Sequence, residues 1–294
     1  MSNRTRLLLS SALIVPCFLC GGVQGQEAEN PIAKVEHFLA YSTDAQALHE
    51  FLHREFMLPE IWPFTNYGSF SSGGVFLGNV VFETIQDSIV GKGQPGRASF
   101  KGIALEPAGP AEPTLEWLDQ RSIGHTPPDP FTMMIEGSEQ VFWVTFSLEV
   151  PPADATIFVC DYTDRDLIRQ GREAGTQELK SVGGGPLGVQ GLGEIILKVG
   201  DSSTGTEAWI NLLGRERLVS EGLFRFSEGP DIRLEQGEPE GLREIVLEVA
   251  SLEDARVYLD SKGLLGETEQ GHLTIAPSAI QGLSIRLRER NAPD

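Results

Sequence analysis

Cysteine is nearly absent from this 294-residue chain: Cys17 and Cys20 fall within the first twenty residues and Cys160 stands alone in the rest. A single remaining cysteine excludes an intrachain disulfide framework, so core burial has to hold the fold. Basic residues are also few, 23 against 42 acidic ones, for a formal net charge of −19. That balance argues against nucleic acid or an anionic membrane as a partner and favours solubility. Long apolar runs are missing too, since the one at the start, LLLSSALIVPCFLC, is too short to span a bilayer.

That run follows the basic start MSNRTR and precedes Val23-Gln24-Gly25, a small-residue cleavage pattern. The expectation is a signal peptide over residues 1–25, cut near Gly25, and a secreted or periplasmic protein. A lipid anchor at Cys20 is the alternative, disfavoured by the bulk of Phe18 and Leu19. Losing Arg4 and Arg6 takes the charge from −19 to −21. The remaining chain, about 270 residues, is long enough for two domains.

Val35 to Tyr41 reads as a strand, and Ala45, Leu48, Leu52 and Phe56 recur at helical spacing after it. Pro59 and Pro63 end that helix. Val75–Leu77 and Val80–Ile85 follow as strands around the Gly78-Asn79 turn. The order recurs in Ser99–Leu105 (strand), Thr114–Ile123 (helix), Val141–Val150 and Thr156–Tyr162 (strands). An internal repeat is therefore expected, its paired halves burying their helix sides and leaving a concave face open to a ligand. SVGGGPLGVQGLG then marks an interdomain boundary. Beyond it the predicted elements are Leu192–Val199 (strand), Thr206–Leu213 (helix), a hairpin of Leu223–Phe226 with Asp231–Leu234, and Leu242–Val249 (strand). A helix capped by Ser251 and Asp254 comes next, then strands Leu273–Pro277 and Leu283–Leu287. The domains so read are 31–180 and 192–290, with a linker over 181–191.

This order, with GLREIVLEVASLEDARVYLDSKGLL and PSAIQGLSIRLRE, resembles the vicinal oxygen chelate superfamily, the glyoxalase and bleomycin-resistance fold. VEHFLAYSTD and GGVFLGNVVFET resemble its glyoxalase-like branch. The resemblance covers nearly the whole mature chain and implies an α+β fold of tandem domains, each of paired βαβββ modules forming a concave sheet. Because an internal duplication can stand in for the dimer of single-domain relatives, it also makes a monomer the expectation.

In metal-dependent members of that superfamily, ligands come from the first, fourth, fifth and eighth strands of one cup. His37 and Glu83 match the first two, while the fifth-strand place falls near Lys101 and the eighth near Asp161. The resemblance thus implies a metal set of His37, Glu83 and Asp161, with Glu83 as catalytic group. The divalent ion (Zn, Mn, Fe, Ni or Mg) would act on a small oxygenated substrate in lyase, isomerase or dioxygenase chemistry. The other reading is a metal-free binding or sequestration cup in which Lys101 neutralises Glu83 or Asp161. Trp62 and Tyr67 would line the ligand pocket in either case, unless they are simply core.

His49-Glu50-Phe51-Leu52-His53 is a literal H-E-x-x-H, the zinc helix of metallopeptidases. It starts too near the mature N-terminus for the sheet that supports such helices, and no further histidine follows in the right pattern. Both histidines are expected on the outer helix of the first domain, away from Glu83. The second domain has Glu194, Glu235, Glu244 and Arg286 where ligands would lie, with Arg233 sharing a face with Glu235, so a self-paired charged cup is expected. Cys160 is expected to be buried against a helix.

Overall fold

The computed structural model describes residues 30–87 and 96–290. The expected signal peptide and Cys20 lie outside the described residues. Strand β1 (Ile32–Ser42) leads into helix α1 (Ala45–Glu55), then β2 (Glu60–Asn66), β3 (Phe70–Phe76) and β4 (Val81–Asp87). The second module repeats this as β5 (Ala98–Pro107), α2 (Ala111–Gln120), β6 (Asp129–Ile135), β7 (Ser138–Leu148) and β8 (Thr156–Tyr162). The eight strands form one sheet in the order β2-β3-β4-β1-β5-β8-β7-β6. Its two first strands, β1 and β5, pair antiparallel at the centre, and each takes its own last strand, β4 or β8, as a parallel neighbour.

A second sheet has the same plan. Its elements are β9 (Val189–Val199), α4 (Ser202–Leu213), β10 (Leu218–Ser220), β11 (Leu223–Phe224), β12 (Asp231–Gln236), β13 (Gly241–Val249), α5 (Leu252–Ser261), β14 (Leu265–Glu269), β15 (His272–Ile275) and β16 (Ile285–Glu289). Their order is β10-β11-β12-β9-β13-β16-β15-β14. The fold is thus α+β with two tandem domains. Ser251 caps α5 by accepting from the Asp254 backbone N–H, the bond expected of that pair.

Alternation along the strands separates two faces. Phe38, Phe82, Ile103, Phe146 and Ile157 lie on the helix side of the first sheet, in one continuous apolar cluster with Ile195, Trp209, Phe224 and Leu287 of the second. Trp209 Nε1 donates to Pro151 O at 2.7 Å and Tyr258 OH to Glu55 O at 2.8 Å, so part-buried hydrogen bonds also tie the domains together. The opposite face of the first sheet curls until rings beside its two edge strands meet, Tyr67 with Phe131 at 6.1 Å.

Helix α3 (Arg165–Ser181), between the domains, was not evident from the sequence. Asp164 caps it, and Gly175 packs so closely on Ile61 and Phe76 that a Cβ there would lie 2.7 Å from Ile61 Cδ1. Phe76 points to the concave face of the first sheet, so α3 lies along that cup rather than in the helix layer behind it. The glycine segment that follows is a tight turn. Gly183, Gly184, Gly185 and Gly188 all have positive φ, and a Cβ on Gly185 would strike Phe56 O.

Candidate functional site

In the first cup, parallel pairing of β1 with β4 sets His37 beside Val81 and Leu39 beside Glu83 on one face. His37 Nε2 lies 3.3 Å from Glu83 Oε2. A register irregularity between Val35 and His37 brings Glu36 to the same cluster instead of turning it to the helix side. Glu36 is 2% exposed, and it pairs with His37 Nδ1 and with Arg172, while Tyr162 OH donates to it at 3.4 Å. Arg172, carried by α3, also reaches Glu106 at 2.7 Å.

These contacts fix the imidazole. A carboxylate held by a guanidinium is ionised and accepts only, so His37 donates from Nδ1 and leaves an Nε2 lone pair facing Glu83. Burial, reinforced by the charge of Arg172, brings the His37 pKa down to about 3. Burial raises Glu83 to about 7 against a hydrogen bond from Ser72. Glu83 is therefore partly protonated near neutrality and can donate to Nε2.

Of the other residues expected at the site, the structure brings in Trp62 and Tyr67. Trp62 pairs in register with Gly74, which pairs with Glu83, and the indole lies over Gly74 where a Cβ would meet it at 2.7 Å. Tyr67 packs on Phe70, and its hydroxyl pKa is raised by burial and then by the Glu83 charge. Across the cup, Phe131 stacks on Trp143 at 4.1 Å, and Phe158 meets the His37 ring edge-on at 5.6 Å. These rings make an apolar shelf around a polar pair.

Two expected residues are elsewhere. Asp161 shares its face with Ile157 and Val159, but that is the helix face. It accepts from the Ala111 backbone N–H at the start of α2 and pairs with Arg165. Cys160 and Tyr162 take the cup side, the face opposite Asp161, and Cys160 is buried as expected. Burial pushes the Cys160 thiol up to about 12 and the Tyr162 hydroxyl well above its usual value. Lys101 sits at a β1–β5 irregularity, and the ion-pair partners of Glu83 and Asp161 are His37 and Arg165.

The donor set does not fit a divalent ion. Facing His37 across β5 is Ala104, β8 offers a thiol and a phenol, and Glu36 is committed to His37 and Arg172. Among the described residues no three His, Cys, Asp or Glu converge as such an ion would need. The H-E-x-x-H helix gives no second centre. His49 is buried with Nε2 on Glu60 at 2.9 Å, His53 bonds Leu58 O, and Glu50 pairs with Arg54.

In the second cup Glu194 joins Arg233 and Arg288, Glu248 joins Arg288, Glu244 joins Arg286, and Lys198 joins Glu235 at 2.6 Å. The acids and bases expected there are thus paired, Glu235 with Lys198 rather than with Arg233.

No protein-family model matches the sequence, and no curated protein does. Solved structures do match. A hypothetical protein from Staphylococcus aureus superposes with a TM-score of 0.58 at 12% identity, over 87% of this chain and 99% of its own. The 2,3-dioxygenase LapB from Pseudomonas sp. KL28 gives 0.55 at 12%, over 90% and 94%. Homoprotocatechuate 2,3-dioxygenase from Arthrobacter globiformis gives 0.54 at 12%, over 90% and 82%. The two-domain architecture is the one these structures share, and it is consistent with the fold that the resemblance to the vicinal oxygen chelate superfamily implies. At this identity the likeness is one of architecture, and the cup of this chain has to be read from its own residues.

The sequence reading missed Glu36 and Arg172. Arg165, Ile168, Arg172, Gly175 and Leu179 lie at i, i+3, i+7, i+10 and i+14, one face of a helix. Two cations and a glycine on that face hid the stripe. They were also the signal that it packs against acids.

Proposed function

We propose that the first cup binds a small, uncharged, oxygen-bearing molecule with a planar apolar part, without a divalent metal, in an exported protein. The observation that carries this is the His37–Glu83 pair, 3.3 Å apart, with no third donor converging on it among the described residues and with Trp62, Tyr67, Phe131, Trp143 and Phe158 around it. A ligand oxygen would exchange hydrogen bonds with Glu83 and His37 while its flat part packs on the rings, and a charged ligand would forfeit solvation there. Similarity in fold to the 2,3-dioxygenases supports a small-molecule cup.

One observation favours a second reading. The neutral His37 with an Nε2 lone pair is ready to ligate an ion shared with Glu83, which would admit lyase, isomerase or dioxygenase chemistry. Metal analysis of the purified full chain, with a thermal-shift screen of neutral phenols against aliphatic acids, separates the two. The proposal expects substoichiometric metal and stabilisation by ring compounds that weakens in Trp143→Ala. Stoichiometric metal that disappears in His37→Ala would establish the second reading instead.

A further inference from the structure

We propose that Arg172 is a tethered cation of the first cup, one that keeps divalent ions off the His37–Glu83 pair and positions His37 through Glu36. The inference deepens the metal-independent reading above and rests on it. Its geometry is a chain of contacts: Arg172 binds Glu36 and Glu106, Glu36 accepts from His37 Nδ1, and His37 Nε2 faces Glu83.

Arg172 is 14% exposed and Glu36 is 2% exposed, so neither charge is solvated enough to stand alone. Burial of such a pair is tolerated only when its geometry is complete, and here one guanidinium serves two carboxylates. The helix is built to hold it there. Arg165 is fixed by Asp161 and by Pro107 O at 3.1 Å, and Gly175 lets the next turn close on Ile61 and Phe76. Arg172 lies between these two anchors, so it cannot swing out without moving α3.

Two consequences follow for a cation entering the cup. It would meet a fixed positive charge one carboxylate away from His37, in a site where water screens little. It would also find Glu36, the nearest additional carboxylate, already engaged. Removing the guanidinium reverses both, since it frees a buried carboxylate and deletes the repulsion. A lysine would keep the charge while losing the forked geometry.

The test is divalent-ion binding by the intact chain, with Zn2+ followed by calorimetry and Co2+ by visible absorption. Wild type and Arg172→Lys should show no His37-dependent site. Arg172→Gln should gain a site that binds on the order of a hundredfold more tightly than any residual binding by wild type, and adding His37→Ala should abolish the gain. No gain in Arg172→Gln, with wild type still metal-free, overturns the role of Arg172 and leaves the metal-independent reading standing. A His37-dependent site in wild type overturns both. Since Arg172→Gln can fail to fold, wild type alone supplies a second measurement, the nitrogen-15 spectrum of its imidazoles. His37 should show the neutral tautomer protonated on Nδ1, and one protonated on Nε2 refutes positioning through Glu36.

Discussion

His37 Nε2 and Glu83 Oε2 sit 3.3 Å apart with their acidities moved in opposite senses, the imidazole down to about 3 and the carboxyl up to about 7. Glu83, ordinarily near 4.5, holds its proton in the folded chain when the unfolded chain has released it. Its stabilising contribution is therefore complete below pH 4.5 and is lost as pH rises through about 7. His37 behaves in reverse, its contribution being present above 6.5 and lost as pH falls toward 3. Between pH 4.5 and 6.5 each state binds one proton from the pair, so the two slopes cancel.

Glu83→Gln should remove one slope. Relative to this variant, wild type should lose stability between pH 4.5 and 7 at up to about 1.4 kcal/mol per unit, then level off. Urea unfolding at pH 5, 6, 7 and 8 measures it. A difference that stays flat would mean Glu83 ionises normally.

Gly73 lies directly over His49, with space for no Cβ, because one would stand 2.7 Å from His49 Nδ1. The imidazole cannot move aside easily, being buried and held by Glu60. Gly73→Ala should cost about 1–3 kcal/mol through overpacking. Much of that should be recovered in the double variant with His49→Ala, so the two changes should be far from additive. Additive costs in urea titrations would show that the motif histidine is not packed there.

The strands readable in the sequence are those buried on one face, such as β1, β5, β9 and β13, where apolar residues mark the helix side. The four outermost strands, β2, β6, β10 and β14, went unread, and each is mostly exposed or half-exposed. An edge strand with little to bury carries no clear period. His37 and Glu83 were legible as a pair because their strands neighbour each other in the order of elements. Parity alone could not say which face of β8 is the cup: Ile157, Val159 and Asp161 alternate correctly, yet point to the helices. Glu36 escaped because an irregularity, not alternation, puts it beside His37.

Asp161 is consequently a structural residue, joining Arg165 on α3 to the first backbone N–H of α2. Asp161→Ala should cost about 1–2 kcal/mol, discounted because Arg165 is 35% exposed. It should leave the Nδ1 tautomer of His37 unchanged. Urea unfolding with the imidazole spectrum checks this, and a changed tautomer at full stability would return Asp161 to the cup.

In the second cup burial and pairing number set different costs for similar glutamates. Glu194 is 9% exposed between Arg233 and Arg288, and although burial acts to raise its pKa, those two hydrogen bonds outweigh it and hold the carboxyl below its ordinary range. Glu235 is 40% exposed and has only Lys198. Glu194→Gln leaves two half-buried guanidinium groups without their shared anion and should cost about 2 kcal/mol. Glu235→Gln breaks a solvated pair and should cost under about 1 kcal/mol. Neither should alter metal content or ring-compound binding in the first cup, because the charges of the second are paired among themselves. Urea unfolding and the thermal-shift screen on both variants decide the matter. Loss of ring-compound binding in Glu194→Gln at unchanged fold would place the ligand site in the second domain.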